Sequence, residues 1–156
     1  MSLAFESPAR PLVPVFGTIS GALSPFAEPM VRAAAGLFLV PHGAQKLFGW
    51  FGGYGLEGTG QFFASQLGLP ASLALIAGTI EFFGGLLLAF GLLTRPVATL
   101  VFGLMAVAAA RVHLPAGFFW TDGGYEYPVF WAIVALSFAI RGGGRYSLDA
   151  LIGREF

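Results

Sequence analysis

One carboxylate, Glu81, stands alone in the middle of a 23-residue apolar run from Ala71 to Leu93 (ASLALIAGTIEFFGGLLLAFGLL). A run of that length with no internal proline suits a helix that crosses a bilayer. A carboxylate at its midpoint costs roughly 2.5–3.5 kcal/mol on insertion scales, so it needs a partner or a purpose. Ala74, Gly78, Glu81 and Gly85 recur at helical spacing on one face, and three of the four are small. Small residues along one stripe let a second helix approach closely. Glu81 is therefore predicted to face the inside of a helix bundle, away from lipid.

Composition places the rest of the chain in the same class. Of 156 residues, 56% are hydrophobic and 10% charged, whereas a soluble domain is nearer a quarter charged. The 23 glycines and 17 phenylalanines fit membrane helices, in which glycine is commoner than in soluble ones. Lys and Arg balance Asp and Glu, so there is no electrostatic case for nucleic acid as a partner. The absence of cysteine excludes disulfides, thiol catalysis and cysteine-ligated iron–sulfur clusters.

Four spans are predicted in an all-α, multi-pass integral membrane bundle. The first covers about Pro29 to Phe48 and is polar for a span, with Arg32, Pro41, His42, Gln45 and Lys46 in it. The second is Ala71–Leu93, closed by Thr94-Arg95-Pro96, and the third starts at Pro96, a favourable first-turn proline, and ends at Arg111 and His113. The fourth runs from about Glu126 to Ile140 and stops at Arg141-Gly142-Gly143-Gly144. The apolar cores of the last two fall short of the usual twenty or so residues, so their polar ends belong to the embedded helix.

Outside the spans, residues 1–28 form a proline-containing segment with no basic region ahead of a clean apolar core, which argues against a cleaved signal peptide. Within it, Val13 to Leu23 reads as a weakly amphipathic surface stretch. Thr59 to Gly68 reads as a short interfacial helix stopped by glycine, and Ser147-Leu-Asp-Ala-Leu-Ile as a capped surface helix ahead of a 153–156 tail. Arg10, Arg32, Arg95, Arg141, Arg145 and Arg154 collect on one side of the membrane, and Lys46 and Arg111 on the other. That bias puts both termini in the cytoplasm. Trp50, Tyr54, Trp120 and Tyr127 with their phenylalanine neighbours then form an aromatic belt on the opposite face.

Counting 1.5 Å per residue from the cytoplasmic ends puts six ionisable side chains at one depth. Glu81, His42, Glu126 and Arg111 come out about 18–22 Å up, and Lys46 and His113 about 24–26 Å. His42 and Lys46 share a helix face, being one turn apart. Two carboxylates and two fixed cations balance, as a low dielectric demands. His42, Lys46, Glu81, Arg111, His113 and Glu126 are thus the candidates for a polar, ligand-binding pocket in the outer half of the bundle. The competing reading is a structural ion-pair network, with Lys46 or Arg111 free to snorkel. A bis-His haem or a metal held by the His and Glu residues is chemically conceivable, but their non-local spacing carries no metal signature. No residue is assigned as catalytic and none as a metal ligand.

The segments His42-Gly-Ala-Gln-Lys46-Leu, Glu81-Phe-Phe-Gly-Gly85 with Gly91-Leu-Leu-Thr-Arg95, Gly123-Gly-Tyr-Glu126-Tyr and Gly144-Arg-Tyr-Ser-Leu-Asp149 follow one another across about residues 29–152. In that order they resemble the motifs of the DoxX family, small four-helix membrane proteins of bacteria and archaea. The resemblance implies a plasma-membrane four-helix bundle and a link to redox work. The family takes its name from the small subunit of a quinone-linked thiosulfate oxidoreductase, and other members are associated with oxidative-stress or catechol and quinone responses. It implies an oxidoreductase-complex subunit that is non-catalytic or partner-dependent. No cofactor would be covalently bound, a quinone would be the ligand, and the partner would be another membrane or peripheral redox protein, or a second copy. A small-solute transporter and a structural anchor subunit are the alternatives from other classes.

Overall fold

The computed structural model describes residues 11–156. Arg10 and Pro8, the first proline of the N-terminal segment, lie outside the described residues. Six α-helices follow in order, with no strand among the described residues. They are α1 (Pro14–Phe48), α2 (Gly55–Leu67), α3 (Leu73–Phe90), α4 (Thr94–Ala116), α5 (Glu126–Arg141) and α6 (Leu148–Ile152). By length and apolarity α1, α3 and α4 each suffice to cross a bilayer, whereas the 16 residues of α5 make a shorter rod of about 24 Å. The chain is an all-α membrane bundle.

The first helix departs from the sequence expectation. The surface stretch and the first span are one continuous helix of 35 residues, despite Pro25, Pro29 and Pro41 inside it. A proline leaves the carbonyl four residues back without its N–H donor. At Pro25 that carbonyl belongs to Gly21, and the Ser24 hydroxyl donates to it at 3.2 Å. The helix is about 52 Å long, more than a hydrocarbon core needs, so its N-terminal turns project beyond the bundle. Phe26 still reaches back, stacking on Tyr146 at 5.4 Å between ring centroids.

Helix α1 lies against α3, and α4 against α5. The first contact is backbone-close because glycines form it. A Cβ on Gly36 would run into the Gly85 carbonyl and the Ala89 backbone, and one on Gly43 into the backbone of Phe82. Ala74, Gly78, Glu81 and Gly85 are all buried, with Gly78 and Gly85 lying against α1. The two pairs join through a core of Ala35, Leu39, Leu88, Val97, Ala98, Val101, Met105, Ala132, Ala135 and Phe138. Many outward-facing side chains along the spans are apolar, Phe83, Phe90, Phe130 and Ile133 among them, as a surface against lipid requires.

A polar lock closes the end of the bundle where α3 turns into α4. Asp149, 2% exposed, accepts hydrogen bonds from the N–H groups of Leu93 (2.8 Å) and Thr94 (2.9 Å) and from the Thr94 hydroxyl (2.7 Å). It thereby caps α4, which starts at Thr94 and not at Pro96, and holds Leu93 at φ +52°, a left-handed conformation unusual for leucine. Arg32, equally buried, donates to the carbonyls of Leu88 (3.0 Å), Ala89 (3.1 Å) and Tyr146 (2.6 Å), which lie at the end of α3 and in the turn before α6. Burial alone would raise the Asp149 carboxyl, but the donors from Thr94 and Leu93 and the charge of Arg32 outweigh it and hold it below the ordinary carboxylate value. The Ser147 hydroxyl caps α6 by accepting from the Ala150 N–H at 3.1 Å. That helix is pinned to the bundle by Asp149.

Candidate functional site

Toward the opposite end the two helix pairs form an open-sided cavity of about 910 Å³. Its walls come from α1, α3, α4 and α5, and α2 contributes Phe62, Phe63 and Leu67. Most of the lining is apolar: Phe38 and Leu39, Ile76 and Ile80, Leu100, Leu104 and Val107, and the indole of Trp131. His42, Lys46, Glu81, Arg111 and His113 share that lining, with Gln45, Tyr54 and Thr59 as neutral polar groups. Five of the six candidates thus reach one space.

Two irregular turns bring them there. Ile80–Gly84 in α3 and Ala109–His113 in α4 are π-helical, widened by one residue per turn relative to the α-helix around them. Such single-turn bulges shift the side-chain register and recur at functional sites. The first carries Glu81, and the second Arg111 and His113.

Glu81 is 5% exposed, and Lys46 Nζ lies 2.6 Å from its Oε2. The contact is a close charge pair whose angles fall outside an aligned hydrogen bond. Lys46 keeps a quarter of its side chain open toward the cavity, which moderates the cost of burying the pair. His42, one turn before Lys46, opens onto the same space. Arg111 donates from Nη2 to the Leu67 carbonyl at 3.0 Å, tying α4 to the end of α2. His113 Nδ1 lies 2.6 Å from the Gly123 carbonyl. A carbonyl only accepts, so Nδ1 carries a proton in this contact.

Glu126 is not part of the cavity lining. Its Oε1 accepts from the Trp120 N–H at 2.8 Å and fastens the loop ahead of α5, at whose positive N-terminal end a carboxylate is favourable. The expected balance of two carboxylates and two cations is therefore not what lines the cavity. Among the described residues no three His, Asp or Glu side chains come together as a metal site. Sequence reasoning missed the buried pair Arg32 and Asp149, having counted one as a flanking charge and placed the other on the surface. The only signal was Asp149 at the end of the last quoted motif.

A helix bundle with lipid-facing apolar surfaces and a largely apolar cavity that carries a few charged side chains defines a small membrane protein with a ligand-sized recess. The chain belongs to the DoxX family, whose model matches residues 29–114. It is 32% identical over 123 residues to a Bacillus subtilis (strain 168) protein named "Putative oxidoreductase CatD", the match covering 79% of this chain and 84% of that one. It is 36% identical over 70 residues to a Haemophilus influenzae protein, covering 45% of this chain and 46% of the other. No solved structure gives a significant match.

Proposed function

We propose that this protein is a cytoplasmic-membrane subunit of, or accessory to, a quinone-linked redox system, and that its cavity holds the quinone head group. The observation that carries the reading is the cavity itself: an apolar, aromatic-walled space of about 910 Å³ with a lysine–carboxylate pair, two histidines and an arginine on its wall. Binding sites for molecules of this size are mostly apolar with a few placed polar groups. Lys46, His42 and Arg111 supply donors for carbonyl or phenolate oxygens. Glu81 and His113 supply groups that can take up or pass on the protons that accompany quinone reduction. Electrons come from a partner, a second membrane protein or a peripheral one. The oxidoreductase name of the Bacillus relative supports the redox reading.

Affinity capture of the full chain from native membranes, followed by optical and lipid analysis of what accompanies it, tests this. Recovery of a quinone together with a redox protein is the expected result. Purified chain that moves a small polar solute into liposomes without a partner would replace this reading with a transporter. Recovery of a partner with no quinone would leave an anchor subunit.

A further inference from the structure

The charges that reach the cavity do not cancel. Lys46 is matched by Glu81 at 2.6 Å, and Glu126, the other carboxylate expected at this depth, is engaged by the Trp120 N–H. Arg111 lines the cavity, spends a hydrogen bond on the Leu67 carbonyl, and has no carboxylate within ion-pair distance among the described residues. A guanidinium has five N–H donors and stays charged, so it brings a fixed positive charge and spare donors to the site. Arg111 is itself exposed, so its charge is open to a ligand of opposite charge seated against the Phe, Leu, Ile and Trp side chains of the same lining, where attraction is less screened than in water.

We propose that the cavity selects amphiphiles whose head group is a single ionised oxygen acid, a phenolate or a carboxylate, over uncharged molecules of the same shape. Arg111 is the residue that sets this preference. The apolar body enters from the lipid side. Ile76, Leu100 and Val107 line the cavity and are each at least half exposed, so the space is continuous with the bundle's lipid-facing surface between α3 and α4. This inference rests on the ligand-binding reading of the same cavity. Among the forms of a quinone, it singles out the singly ionised hydroquinone.

Isothermal titration of the full chain in mild detergent separates the possibilities, with each probe's partition into empty micelles subtracted. The probes are a dinitro-substituted alkylphenol, ionised at neutral pH, against its methyl ether; dodecanoate against its methyl ester; and an oxidised short-chain ubiquinone analogue. The expected result is a preference of about tenfold or more for at least one anion over its neutral counterpart. Arg111→Gln, which removes the charge and keeps an amide donor on the side chain, should abolish that preference, and Arg111→Lys should restore most of it. The phenol and carboxylate arms show which acid the head group is. Neutral probes that bind as well as the anions, a preference that survives Arg111→Gln, or no saturable binding of any anion would each overturn the proposal. If an anion binds selectively and the quinone does not, the quinone reading falls while this one stands. If the quinone binds without any charge preference, the reverse holds.

Discussion

Glu81 and Asp149 are both buried carboxylates, yet their surroundings give them different consequences. Asp149 is closed in by donors, while Glu81 shares its charge with a lysine that opens onto the cavity. Glu81→Gln leaves Lys46 without its counter-charge. Breaking a buried pair costs about 3–5 kcal/mol, and the open side of Lys46 should hold this variant to the low end or below. It should therefore remain folded, as thermal unfolding in detergent would show, while ligand retention collapses. Asp149→Asn turns an acceptor of three hydrogen bonds into a group with one donor facing donors, and should cost about 1–3 kcal/mol with the cavity's ligand affinity unchanged. The acid limb follows from the same residue. The carboxyl is held below its ordinary 3.8, so its stabilisation is complete above that pH and is lost as pH falls through the lower folded value. Unfolding curves of the wild type should carry an acid-dependent loss in that range, and Asp149→Asn should lack that component. Identical acid limbs would refute the assignment.

At the scale of elements, the contact of α1 with α3 rests on missing side chains. Gly36→Ala places a methyl against the backbone of Gly85 and Ala89, and overpacking of this kind costs about 1–3 kcal/mol. Gly21→Ala, on the same helix with open space around it, should be neutral or slightly stabilising. Equal melting temperatures for the two variants would mean that the helices are not held at this distance. The same element shows what a sequence can and cannot disclose. The inward face of α3 was legible because Ala74, Gly78, Glu81 and Gly85 are linked by local helical spacing alone. The location of Glu126 was not: counting residues gives height along a helix but not which side of it a carboxylate turns to, and the Trp120 N–H claimed it. Arg32 and Asp149 lie more than a hundred residues apart, and no local pattern announces that they serve one lock. The π-turns that carry Glu81, Arg111 and His113 are not announced by any residue pattern in the sequence.

On the scale of the whole molecule, the bundle is tightly packed at the end held by Arg32 and Asp149 and hollow at the other. The basic bias of the sequence predicts that the locked end faces the cytoplasm and that the cavity lies in the outer half. Because the chain has no cysteine, single cysteines can report this directly. Phe119→Cys should react with an impermeant maleimide added outside intact cells, and Arg145→Cys only after lysis. Labelling of the second position from outside would invert the topology. The central claim, that the hollow end holds a quinone through its charged wall, meets its most direct test in the molar ratio of quinone to protein after purification from native membranes in mild detergent, for the wild type and Glu81→Gln side by side. The account expects a ratio near one for the wild type and a loss of about tenfold or more in the variant. Equal ratios in the two proteins, or a wild-type ratio no higher than that of an unrelated membrane protein purified in parallel, would contradict it.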